Sequence, residues 1–114
     1  MSLIQAYKGL GLTRYLTVLD AAGAAIAPGA NDILRVRIMR LGQDPKLTVT
    51  SEAATANGSS LTKNVPTGKN TLRLDASDLS FAAGIYIFRF DYFDNADSQE
   101  YKKISDQVFD LQDQ

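Results

Sequence analysis

Gly84-Ile85-Tyr86-Ile87-Phe88-Arg89-Phe90-Asp91-Tyr92-Phe93 alternates without a break. At a period of two, Tyr86, Phe88, Phe90 and Tyr92 share one face, while Ile85, Ile87, Arg89 and Asp91 share the other. A helix would scatter the four aromatics around its circumference, whereas a strand gathers them into one row that must be buried. Aromatic and β-branched residues also favour the pleated backbone. The stretch therefore predicts a long strand near the centre of a sheet.

The same period recurs on either side. Thr13 to Asp20 reads as a strand that closes at Asp20-Ala21-Ala22-Gly23, where glycine supplies a turn. After Pro28-Gly29-Ala30-Asn31-Asp32, the run Ile33 to Leu41 turns Leu34, Val36 and Ile38 one way and Arg35, Arg37 and Met39 the other. Lys46 to Ser51 predicts a short strand with Leu47 and Val49 inward, after a break at Gln43-Asp44-Pro45. Glu52 to Ser60 is small and polar around Asn57-Gly58, and reads as a hairpin turn or a longer loop. Ser60 to Val65 predicts a weak edge strand, Pro66 to Asn70 a turn, and Thr71 to Asp75 a further strand. Asp94 to Ser98 turns once more, before Tyr101 to Ile104 and Gln107 to Leu111 as one kinked strand or two short ones. The Ala-rich stretch Ala21 to Ala27 runs into Pro28 and Gly29, which oppose a long helix.

Short strands at a spacing of roughly 8 to 12 residues, each with one apolar face, predict an all-β fold: an antiparallel β-sandwich of seven or eight strands in a single domain over residues 1–114. A small barrel is the alternative. Leu34, Val36, Phe88 and Phe90 are expected to form the centre of the core. Tyr86, entering its strand after Leu74-Asp75-Ala76-Ser77-Asp78-Leu79, is expected to hydrogen-bond back across that corner, as in immunoglobulin-like sandwiches.

Composition narrows the function. At 114 residues, the chain is long enough to bury a core without staples. The 12 basic residues nearly balance the 13 acidic ones, so no broad positive field gathers nucleic acid or anionic lipid. Cysteine and histidine are absent, which removes disulfides, thiolate metal sites and the commonest general base. The opening Met1 to Lys8 lacks the basic and apolar segments of a secretory signal, and no apolar run approaches the roughly 20 residues of a membrane-spanning helix. Neither membrane nor nucleic acid is an expected partner.

Few residue groups carry chemistry. Asp91, Asp94 and Asp97, with Asn95 and Glu100, crowd one turn and offer oxygen ligands as weak calcium candidates, but their three-residue spacing is not that of an EF-hand loop. The plainer reading is an Asx-rich turn. A serine hydrolase lacks its histidine, and Gly9-Leu10-Gly11 lacks the third glycine of a dinucleotide loop. Glycosidase chemistry needs two carboxylates across a cleft, whereas the acids here fall at turns and on wet faces. Arg35, Arg37, Arg73 and Arg89 either grip an anion or pair with Asp75, Asp78 and Asp91 on neighbouring strands, and the balanced charge favours pairing. The expectation is a protein that is not an enzyme, with no catalytic residues and no cofactor.

One resemblance spans most of the chain. The order Leu16-Thr17-Val18-Leu19-Asp20-Ala21-Ala22-Gly23, then Asp32-Ile33-Leu34-Arg35-Val36-Arg37, then Leu74-Asp75 through Gly84-Ile85-Tyr86-Ile87-Phe88, then Gln107-Val108-Phe109-Asp110-Leu111 resembles the immunoglobulin-like domains of tailed-bacteriophage structural proteins. That resemblance implies a virion component of the head, connector or tail. It would be made in the bacterial host cytoplasm and would associate with other virion proteins and with copies of itself. The alternative is a carbohydrate- or surface-binding module that stacks Tyr7, Tyr15, Tyr92, Phe93 or Tyr101 on sugar rings.

Overall fold

The computed structural model describes residues 3–19, 22–29, 31–64, 69–93 and 101–113. The aromatic strand runs Gly84–Phe93 and lies centrally, flanked on both sides by long partners. In chain order the strands are β1 (Leu3–Tyr7), β2 (Leu12–Leu19), β3 (Ala25–Ile26), β4 (Ile33–Met39), β5 (Leu47–Thr50), β6 (Ser60–Thr62), β7 (Lys69–Leu74), β8 (Gly84–Phe93) and β9 (Tyr101–Gln112). A single 3-10 turn, Ala76–Asp78, joins β7 to β8. Of the turn expected at Pro66 to Asn70, residues 66–68 lie outside the described residues while Lys69 and Asn70 already belong to β7; the turn expected at Asp94 to Ser98 lies wholly outside, as does Asp20.

The strands form two sheets, one of five in the order β1-β9-β8-β4-β5 and one of four in the order β3-β2-β7-β6. The all-β, two-layer expectation holds, but two of its details are corrected. The described residues form nine strands, not seven or eight, and the five-stranded sheet is mixed because β1 runs parallel to β9. A strand that begins a chain can lie parallel to one that ends it, since the whole intervening domain serves as the crossover.

The inward faces meet in one core. Leu34, Val36 and Ile38 of β4 and Phe88 and Phe90 of β8 are at most 1% exposed, and they pack with Val18 of β2 and Leu72 and Leu74 of β7. The four residues expected at the core centre are therefore all buried there. β1 contributes Ile4 and Ala6, and β9 contributes Phe109 and Leu111. Burying a side chain of this kind contributes about 1.5–3 kcal/mol, so the layer interface dominates stability.

Polar groups secure the margins. Asn70 is fully buried, with its amide nitrogen donating to the Leu16 carbonyl at 3.0 Å and its oxygen accepting from the Asn64 N–H at 3.0 Å. Asp78 accepts hydrogen bonds from the Thr55 hydroxyl at 2.6 Å, from the Asn57 amide at 2.9 Å and from the Ser59 hydroxyl, so the segment between β5 and β6 is a tethered loop rather than a two-residue hairpin. Burial tends to raise the Asp78 carboxyl, but the hydrogen bonds from Ser59, Thr55 and Asn57 outweigh it and hold the group below its usual range.

β9 carries one irregularity. Phe90 stands opposite Ser105 and Asp91 opposite Lys103, so Ile104 is an extra residue on β9, a β-bulge. Ile104 packs against the core, and residues beyond it take the opposite parity. β9 is thus one strand with a fault in its middle, which its sequence suggests as a kink.

Candidate interaction face

The outward side of the five-stranded sheet brings paired charges and apolar side chains together. Alternation on β8 sends Ile85, Ile87, Arg89, Asp91 and Phe93 outward, and the register aligns them in rows with their neighbours. One row reads Leu3, Val108, Ile87, Met39 across β1, β9, β8 and β4. The next reads Asp106, Arg89, Arg37, Thr48 and the next Lys103, Asp91, Arg35, Thr50 across β9, β8, β4 and β5. Tyr101, Phe93 and Ile33 close the far end.

The charged rows are internally paired. Asp91 is 2% exposed, and its Oδ2 accepts from Arg35 Nε at 3.0 Å, Arg35 Nη2 at 2.8 Å and Arg37 Nη2 at 2.9 Å. Arg35 also lies 3.6 Å from the centre of the Tyr101 ring, a cation–π contact. Arg89 bonds Asp106 through Nε at 2.8 Å and Nη2 at 3.0 Å, the two-pronged geometry suited to carboxylates. The Arg89 guanidinium, against the cost of burial, holds the Asp106 carboxyl below its usual range, and Lys103 adds to the effect. Arg37 Nε is buried without a hydrogen-bond partner, although Nη2 of the same guanidinium donates to Asp91.

The expected arginine pairing is therefore found in part. Arg35 and Arg37 take Asp91, as anticipated, but Arg89 takes Asp106, which the sequence did not single out. Arg73 lies exposed on β7 in the other sheet. Asp75 and Asp78 pair with no arginine among the described residues. Asp75 caps the 3-10 turn by accepting from the Ser77 N–H, and Asp78 tethers the loop. Of the calcium candidates, Asp91 is committed to two guanidiniums, while Asp94 and Asp97 lie outside the described residues. Among the described residues no group of three acids is placed to hold a metal ion.

Beside the charges, the face is apolar. Met39, Leu41, Ile85, Ile87 and Val108 line a shallow depression of about 270 Å³ that Arg40 borders. Leu3, Leu41 and Ile85 are 54%, 74% and 58% exposed, far more than large apolar residues in a core. Arg40 reaches back over Gly84 to the Tyr86 ring, its guanidinium carbon 4.4 Å from the ring centre. Gly84 has φ +151°, and a Cβ there would stand 2.5 Å from Arg40 Nη2. Beneath this end, Tyr86 donates its hydroxyl to the Ala82 carbonyl at 2.6 Å, the corner bond anticipated from the sequence.

The aromatics proposed for sugar stacking do not converge. Tyr15 lies on the outer face of the four-stranded sheet, 63% exposed, with Lys69 over its ring at 4.7 Å, while Tyr7 stands on edge strand β1. Tyr92 points inward and gives its hydroxyl to Asp32 at 2.7 Å. Only Phe93 and Tyr101 meet, with ring centres 5.4 Å apart. Ile33, opposite Phe93, also borders a polar hollow of about 270 Å³ formed with Asp32, Ser51, Glu52 and Lys63.

Fold and face together define an all-β, two-sheet domain whose five-stranded sheet has an amphipathic outer surface. No protein-family model matches the sequence, and no curated protein matches it.

Proposed function

We propose that the chain is a non-enzymatic structural component of a phage or prophage virion, built on an immunoglobulin-like sandwich and acting through protein–protein contacts with other virion proteins and with copies of itself. The observation that carries this reading is the outer face of the five-stranded sheet, where Leu3, Leu41 and Ile85 stand more than half exposed beside internally paired charges. Interaction surfaces on soluble domains have this character, because isolated apolar groups are common but contiguous ones mark contacts. The immunoglobulin-like part is supported by the strand order and by the Tyr86 corner. On this reading β2, β7 and β6 correspond to strands B, E and D, and β9, β8, β4 and β5 to G, F, C and C′.

Light scattering of the purified chain, with negative-stain imaging of mixtures with purified phage head and tail proteins, tests the proposal. Rings, tubes or stable complexes are expected. A chain that stays monomeric at high concentration and binds none of these proteins refutes it.

The alternative is a carbohydrate-binding module, favoured by the Phe93–Tyr101 pair one strand from the polar hollow. A blank glycan array together with a calcium titration without effect removes it.

A further inference from the structure

The loop between β5 and β6 carries a spontaneous chemistry that the assembly reading does not use. Asn57 is the only asparagine of the chain that is followed by glycine, and the Gly58 backbone nitrogen has no side chain beside it to obstruct an attack. That nitrogen can close on the Asn57 side-chain Cγ. The N–Cγ bond forms, the Cγ–Nδ2 bond breaks, and ammonia leaves with the proton given up by the Gly58 N–H. Water then opens the cyclic imide at either carbonyl and leaves aspartate or isoaspartate at position 57. Both reacting groups belong to one dipeptide, so the rate depends on how often they reach attack geometry.

The folded loop holds both groups away from it. The Gly58 N–H donates to the Thr55 carbonyl at 3.0 Å, and Asn57 Nδ2 donates to Asp78 Oδ1 at 2.9 Å. Thr55 is fixed in turn, its N–H donating to the Ser59 carbonyl at 2.9 Å and its hydroxyl to Asp78 Oδ2 at 2.6 Å. Attack requires the Gly58 nitrogen to leave the Thr55 carbonyl. It also requires the amide to depart from a carboxylate that accepts its hydrogen and has no proton to lend the leaving ammonia.

We propose that Asn57 is a modification site, a deamidation position that the tether to Asp78 keeps latent in the folded chain and that reacts when the loop opens. The conversion runs one way. A carboxylate at position 57 cannot donate to Asp78, and it sets a second negative charge where the amide donor stood, so closure of the loop is opposed. Chains that have reacted therefore keep a loosened loop, while the two sheets are untouched. The proposal stands apart from the assembly reading, and neither depends on the other.

Incubating the full chain in mildly alkaline buffer, with and without urea, tests it. Conversion is read by mass spectrometry as the exchange of NH2 for OH in the tryptic peptide from Leu47 to Lys63. The folded chain should convert at least about tenfold more slowly than the unfolded one, since opening must first release the loop's hydrogen bonds. Asp78→Ala, verified as folded by circular dichroism, should remove most of that protection and leave the rate in urea unchanged. Should it fail to fold, Thr55→Ala makes the same test, because it frees the same carboxylate and keeps the Thr55 carbonyl. Asn57→Asp, the direct product, should unfold at lower urea than Asn57→Ser, which loses the amide without adding charge. No conversion in urea, equal rates with and without urea, a protection that survives loss of the Asp78 tether, or an Asn57→Asp chain as stable as Asn57→Ser each overturns the inference.

Discussion

The two outer faces of this molecule are built on the same pleat but to different ends. On the four-stranded sheet, Tyr15, Thr71 and Thr62 form one row and Thr13, Arg73 and Ser60 the next, mostly hydroxyl-bearing side chains with one charge among them. On the five-stranded sheet, the rows hold an aliphatic belt and a grid in which Arg35, Arg37, Asp91, Arg89 and Asp106 constrain one another. Alternation dictates that every strand has an outward side but leaves its content open. The contrast locates where this chain has more on its surface than solubility requires.

The largest break in that contrast comes from Asp91→Ala. Removing the one acceptor shared by Arg35 and Arg37 leaves two guanidiniums at a site where the acid was 2% exposed. Losing one partner of a buried pair costs about 3–5 kcal/mol, and water reaching the arginines, whose side chains are 21% and 25% exposed, reduces this to about 2–3 kcal/mol in urea unfolding. Tyr86→Phe sharpens the account of the corner that supports the apolar end, and should lose about 1 kcal/mol with the Ala82 hydrogen bond. Unchanged stability would mean the corner is decorative.

Acid separates the two sheets more gently. Asp106, on the five-stranded face, and Asp78, whose hydrogen-bond partners flank β6 beside the four-stranded sheet, both have carboxyls held below the ordinary 3.8. A carboxyl lowered in the folded state contributes stability in full above its unfolded value and loses it as pH falls toward the folded one. Stability measured between about pH 5 and pH 2 should therefore decline below about 3.8. Arg89→Gln should flatten the Asp106 share and Ser59→Ala the Asp78 share, each leaving the other. The smallest effect belongs to Arg73→Ala on the four-stranded face, expected within about 0.5 kcal/mol of the parent.

Much of this architecture is legible in the sequence, because burial writes itself as a period of two. β8 runs Gly84–Phe93, as its sequence indicates, and β4 and β5 lie within a residue or two of their predicted spans. β1 is illegible for a physical reason: five residues with only Ile4 and Ala6 buried carry little pattern, and its partner β9 lies about a hundred positions away. β3, two residues long, carries none. Among candidate site residues, Arg35, Arg37 and Asp91 could be matched because β4 and β8 alternate cleanly. Asp106 could not, since its facing depends on counting across the bulge at Ile104. Met39 has the parity of a wet residue yet is only 7% exposed, because Leu41, Ile85 and Val108 gather around it.

That bulge also fixes which alignment of β8 and β9 can exist. Two strands that both repeat every second residue look nearly the same after sliding by two positions, since every side chain keeps its layer. The extra residue removes the ambiguity: after such a slide, Ile104 no longer meets its seat in the core, and Tyr101 no longer lies under the Arg35 guanidinium. The fault in the ladder acts as an index notch, admitting one meshing of the longest strands and discarding the near-copies that a perfect repeat would have left in competition.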